Sequence, residues 1–168
     1  MISLIKWKNL IICILIPIII GFLGSLAGNV MNGFDGIYKP SFTPPAIVFP
    51  IAWTILYILM GISSYLIYES DSNDKKGALL LYGIQLVINS LWTYFFFNLK
   101  WFLFSFILVL IILLLVIIMI LKFYKINKTA AYLQIPYVIW LVFAAVLSFN
   151  VFLLNYTFIM SFFLDCSY

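Results

Sequence analysis

The sequence predicts an all-α integral membrane protein, a bundle of five transmembrane helices forming a single domain over 1–168, and three observations carry that prediction. The chain is 67% hydrophobic and 8% charged over 168 residues, a balance that would leave a soluble domain with a large apolar surface in water. Polar or turn-forming breaks divide it into apolar runs at 10–30, 46–68, 78–97, 101–124 and 130–154. Each run is close to or above the roughly 20 residues that cross a hydrocarbon core of about 30 Å. The aliphatic stretch 106–121 shows no strand-like alternation, and backbone groups in lipid have to be satisfied within their own segment, which favours helices.

The first run follows Lys6-Trp7-Lys8 and also reads as a secretory signal, with Ser25-Leu26-Ala27 as small residues for cleavage. Its apolar stretch continues to Val30 and four more spans follow, so a retained helix is the better reading. Gly24 and Gly28 are four apart and let another helix approach closely, either inside the bundle or across a dimer. The first loop, 31–45, contains Lys39-Pro40-Ser41-Phe42-Thr43-Pro44-Pro45. Three prolines fix φ and forbid helix, so the segment is stiff, either a lid over the bundle mouth or a spacer that starts helix two. The third and fourth runs are separated only by Asn98-Leu99-Lys100 and so form a tight antiparallel pair. Pro17, Pro50 and Pro136 kink or end helices one, two and five. The tail 156–168, again rich in Phe, Ile and Leu, either prolongs the fifth helix or lies in the interface.

Charge excludes several function classes. All nine cations are Lys, scattered rather than gathered in a basic stripe, which argues against nucleic-acid binding. There is no His, and Cys13 and Cys166 are far apart, so no metal or disulfide site and no bound cofactor is expected. Ionisable residues are absent from the span interiors, unlike a pump, voltage sensor or proton relay. Lys6, Lys8, Lys75, Lys76, Lys122, Lys125 and Lys128 fall on one side, against Lys39 and Lys100 on the other. By the positive-inside rule the N-terminus is cytoplasmic and the C-terminus outside, in a bacterial plasma membrane.

Candidate chemistry lies on three helix faces. Helix two places Trp53, Tyr57, Gly61 and Ser64 along one face; helix three does the same with Gln85, Asn89 and Thr93, beside Trp92 and Phe96. Helix five offers Trp140, Ala144 and Ser148, with Tyr137 and Phe143 nearby. Amides are costly against lipid, so Gln85 and Asn89 face protein or a cavity. Either they are structural glue between helices, or they orient a small ligand in an aromatic-lined pocket.

The segment Lys39 to Pro45, followed by Val48-Phe49-Pro50-Ile51-Ala52-Trp53-Thr54-Ile55-Leu56-Tyr57-Ile58-Leu59-Met60-Gly61, resembles the KPSWTPP and VFGPVWTxLYxLMG stretch of the TspO/translocator protein family, the tryptophan-rich sensory proteins and peripheral-type benzodiazepine receptors. Tyr82-Gly83-Ile84-Gln85-Leu86-Val87-Ile88-Asn89-Ser90-Leu91-Trp92 resembles its YGxQLxLNxxW helix, and Ile135-Pro136-Tyr137-Val138-Ile139-Trp140-Leu141-Val142-Phe143-Ala144 its PYxxWxxFA helix. The resemblance implies a five-helix bundle, often dimeric, whose cavity beneath the first loop binds porphyrins, sterols and synthetic benzodiazepine-type ligands. Carried over by position, Trp53 and Trp140 match the indoles that bacterial members use in light-dependent porphyrin degradation. Gln85 and Asn89 match polar pocket residues, while Phe34, Phe42, Tyr57, Trp92, Phe143 and Ala144 would line the pocket.

The chain departs from the pattern where Phe42 replaces the loop Trp and Gly33-Phe34 replaces a Trp-Tyr pair, and where the end of helix five lacks the Tyr and basic residue of a proposed sterol motif. Without His, axial His ligation of haem iron is excluded, so a metal-free porphyrin fits better. The leading expectation is a membrane receptor or sensor for tetrapyrroles or related hydrophobic molecules, with a homodimer and the lipid bilayer as partners. The alternatives are a transporter exporting porphyrin or another amphipath, an enzyme that turns porphyrin over through the two indoles, and a packing protein without a ligand.

Overall fold

A computed structural model describes residues 5–30 and 36–165, with side chains described as far as Tyr156. The elements are α1 Trp7–Ala27, α2 Val48–Tyr68, α3 Lys75–Thr93 running into a π-helical turn Tyr94–Asn98, α4 Phe102–Ile126, the short α5 Lys128–Tyr132, and α6 Ile135–Asp165. Among the described residues five spans are long and apolar enough to cross a membrane, and the chain is an all-α integral membrane protein.

Local chemistry sets the helix ends. Helix α1 stops short of Val30: Asn29 takes a left-handed φ of 50°. The Asn29 amide then donates to the Leu26 carbonyl at 3.1 Å and the Val30 amide to Ser25 at 3.2 Å, satisfying the last carbonyls. Lys100, at φ 55°, makes the tight reversal between the π turn and α4. The Asn98 amide reaches back to the Ala27 carbonyl at 3.2 Å, tying that reversal to the end of α1. Pro50 falls in the first turn of α2 and Pro136 at the second position of α6, where a missing N–H costs little. The single fifth run expected at 130–154 is therefore two pieces, α5 and α6, broken at Leu133-Gln134 just before Pro136. As far as Asp165 the tail is helix, a continuation of α6.

Helix α1 packs on α2 and α3, α4 packs on α3 and α6, and α5 joins α2 to α4. The Ser63 hydroxyl donates to the Ala130 carbonyl at 2.7 Å, fixing α2 to α5. A Cβ at Gly24 would stand 2.5 Å from Ser90 Oγ, and one at Gly28 would stand 2.8 Å from the Thr93 carbonyl oxygen. The small-residue stripe of α1 is thus consumed inside the bundle, against α3.

The described part of the first loop is held at both ends. Thr43 donates from its hydroxyl to the Pro40 carbonyl at 2.7 Å. Ile37 is buried against Phe96, Phe97, Leu147 and Val151. Asn155 of α6 accepts from the Tyr38 amide at 3.2 Å and donates to its carbonyl at 3.0 Å. At the opposite, lysine-rich end, Lys6 pairs with Glu69 at 2.8 Å, and Asn9 donates to the same carboxylate at 2.6 Å.

Candidate functional site

The three helix faces meet in one aromatic interior. On α2, Trp53 stacks on Tyr57 with ring centroids 5.3 Å apart and planes 27° apart. From α6, Tyr137 and Trp140 each meet Trp53 edge to face at 6.2 Å. Phe49 and Phe143 flank Trp140 at 6.0 and 5.6 Å. A Cβ at Gly21 of α1 would overlap the Tyr57 ring, so the glycine makes room for that phenol.

Helix α3 adds polarity to this interior. Gln85 is fully buried, and the Tyr137 hydroxyl donates to its Oε1 at 2.9 Å. Its Nε2 is buried with no partner among the described residues. One turn on, Asn89 is buried on the same face. Trp92 stacks on Phe96 at 5.1 Å and meets Phe97 edge-on at 6.1 Å, and its Nε1 also lacks a partner among the described residues. Buried amide and indole N–H groups carry a desolvation cost when unpaired, so α3 presents hydrogen-bond donors that an acceptor would satisfy.

Of the residues singled out in the sequence, Trp53, Tyr57, Trp92 and Trp140 pack together against the main core, which includes Ala144. Phe143 meets Trp140 and packs against the adjoining cluster of Ile37, Phe96, Phe97, Leu147 and Val151. Phe42, on the first loop, is 47% exposed. Phe34 lies outside the described residues. Two residues gain roles that sequence reasoning had not given them. Asn155 latches the first loop, and Gln134, at the α5–α6 break, is fully buried with both amide atoms unpaired among the described residues. An amide inside an apolar run was the available signal for Gln134, as it was for Gln85.

Two open cavities lie among the described residues, of which the second shares Trp140 and Phe143 with this interior. One of about 630 Å³ lies beside the first loop, between Gly36, Tyr38, Phe102 and Tyr156. The other, about 430 Å³, is a cleft between α2 and α6 walled by Ala52, Ile55, Ile139, Trp140 and Phe143.

The model of the TspO/MBR family matches residues 13–154. The chain is 36% identical over 149 residues to the tryptophan-rich protein TspO of Archaeoglobus fulgidus, covering 88% of this chain and 97% of that one. It is 34% identical over 123 residues to the tryptophan-rich sensory protein of Cereibacter sphaeroides, covering 73% and 77%. To the translocator protein of Sus scrofa it is 32% identical over 145 residues, covering 82% and 84%. A family match over residues 13–154, with a relative 36% identical across 88% of this chain, means that the chain belongs to the TspO/MBR family.

Proposed function

We propose that this membrane protein is a receptor or sensor for a flat hydrophobic ligand of the tetrapyrrole class, held among α2, α3 and α6. The observation that carries this reading is Gln85. Its Oε1 is occupied by Tyr137 while its Nε2 stays buried and unpaired among the described residues, beside the Trp53 ring cluster. A tetrapyrrole offers a large π face for the indoles and acceptor groups at its edge for the α3 donors. Trp53, Tyr57, Gln85, Asn89, Trp92, Trp140, Phe143 and Ala144 form the proposed site, with Phe34 and Phe42 contributed from the first loop. The rings fill much of the interior in this state, so the ligand binds by displacing them. Trp53 and Trp140 would then lie against the bound macrocycle, placed to donate electrons when it is photo-excited. In a bacterial plasma membrane the lysine-rich end faces the cytoplasm. A homodimer would use a face other than Gly24 and Gly28, which α3 already covers.

The test is tryptophan fluorescence quenching by protoporphyrin IX in nanodiscs, in darkness and then under light. Saturable quenching that weakens in Trp53→Phe and Trp140→Phe is expected, with Gln85→Leu lowering affinity by about tenfold through the lost donor. Light-driven loss of the porphyrin spectrum in wild type alone would add turnover to binding. Absence of saturable quenching would overturn the reading.

A further inference from the structure

Around the bundle, neighbouring helices meet in two ways. The seams of α1 with α2 and α3 are closed by close backbone approach. Helices α2 and α6 are not among the closely packed pairs. Toward the lysine-rich end the Ser63 to Ala130 hydrogen bond fastens α2 to α5, the short helix that leads into α6. Above that point the two helices are bridged by rings, Phe49 against Trp140 at 76° and Trp53 against Trp140 at 80°. The 430 Å³ cleft lies on the outer side of this bridge. Its rim residues Ile55 and Ile139 are exposed on the membrane-spanning surface, Ile139 by 65%. Trp140 belongs both to the cleft wall and to the interior cluster.

We infer that the α2–α6 cleft is a lateral entrance through which a flat, apolar aromatic ligand passes from the bilayer to the Trp53–Trp140 pair, with the Trp140 ring as its gate. This rests on the receptor reading above. The chemistry of the lining selects the occupant. Aliphatic and aromatic walls at mid-span give a charged headgroup no partner, so what enters is dissolved in the hydrocarbon. The gate is built of edge-to-face ring contacts, and an incoming π face replaces those contacts in kind, which a saturated acyl chain does not. Opening needs side-chain rotation of Trp140 rather than separation of packed backbones, a far smaller rearrangement.

Two measurements on the full-length protein test this. The first follows protoporphyrin IX binding by stopped flow in nanodiscs, comparing wild type with Ala52→Phe, which fills the cleft. Ile139→Phe serves as a second variant on the lipid-exposed rim that leaves the core untouched, and Ile58→Phe is an exposed control on α2 outside the cleft. The cleft variants are expected to slow association and dissociation together, by about tenfold for Ala52→Phe, with Kd within about twofold. The control should leave both rates unchanged. The second measures quenching of a variant whose sole tryptophan is Trp140 by phospholipids brominated on their acyl chains, without any porphyrin. Strong quenching, reduced by Ala52→Phe, is expected. Unquenched Trp140 would overturn the entrance whatever the porphyrin does. Strong quenching with unchanged porphyrin rates would make the cleft a seat for a lipid chain and overturn it equally. Absence of saturable porphyrin binding in wild type overturns the receptor reading instead, and with it the ligand assigned to the entrance.

Discussion

The α1–α2 seam and the α2–α6 seam share a helix but are closed by opposite means. At the first, Gly61 brings α2 onto the backbone of α1: a Cβ there would stand 2.4 Å from Ile14 Cα and 2.9 Å from the Cys13 carbonyl oxygen. That carbonyl lies four residues before Pro17, whose ring nitrogen cannot supply the usual helical hydrogen bond. The second seam has no such approach and is bridged by Phe49, Trp53 and Trp140. Backbone contact leaves no soft coordinate, whereas rings turn about two side-chain torsions. The same helix α2 therefore has one side built as scaffold and one side built to exchange contacts.

The largest effect should come from adding volume to the scaffold side. Gly61→Ala places a methyl against backbone that cannot yield without parting α1 from α2, at a cost of about 1–3 kcal/mol or more. Thermal unfolding in detergent should show a clear drop for Gly61→Ala and a much smaller one for Ala52→Phe, although the second adds far more volume. Equal losses would erase the distinction between the seams.

A second, smaller effect concerns the polar contact that spans from α3 to the ring seam. Tyr137→Phe keeps the ring that meets Trp53 at 6.2 Å but removes the donor to Gln85 Oε1. A buried acceptor left without a partner costs about 1–3 kcal/mol. Because Gln85 is then unpaired at both amide atoms, its side chain is free to turn, and porphyrin affinity should shift along with stability. A stability loss with unchanged affinity would make Gln85 structural glue, the other reading its position on α3 allows.

Much of this was legible in the sequence, for physical reasons. Spans are written in hydropathy because lipid admits few alternatives, and helical periodicity gathered Trp53 with Tyr57 and Gln85 with Asn89 on single faces. Which helix covers which face was not. The Gly24 and Gly28 stripe states that something approaches closely, and only the fold identifies α3 as the neighbour. The Asn155 latch joins positions 117 apart to a loop without periodicity, so local pattern carried no trace of it. The break at Leu133-Gln134 was hidden because the residues on both sides are apolar, although Pro136 marked a place where a helix starts more easily than it continues. The ring-bridged seam was invisible for a related reason: Trp140 read as a site residue, and nothing in its spacing reveals that it also fills the gap between two helices.

The scaffold seam has one further fastening, and its expected effect is the smallest. At the lysine-rich end Glu69, just past α2, holds Lys6 and Asn9 at the start of α1. Hydrogen bonding from Lys6, then from Asn9, holds the Glu69 carboxyl below its ordinary range, with the Lys6 and Lys75 charges adding to this and partial desolvation opposing it. The same contact, led by the hydrogen bond to Glu69, raises the Lys6 ammonium above its ordinary value. A depressed carboxyl contributes stability above its unfolded value and loses it as pH falls through the folded one. A raised ammonium contributes below its unfolded value and loses it as pH rises through the folded one. The clamp should therefore hold from about pH 5 to about pH 10 and release outside that window. Both groups are solvent-accessible, so salt screens the contact and the effect stays local. Amide exchange in the first turn of α1 should quicken below about pH 4 relative to its intrinsic rate. In Glu69→Gln it should already be quick at neutral pH and lose the acid step, while brominated-lipid quenching of Trp140 stays the same. An acid step that survives Glu69→Gln would assign it to another carboxyl. A change at Trp140 would mean that the two seams of α2 move together, contrary to the division drawn between them.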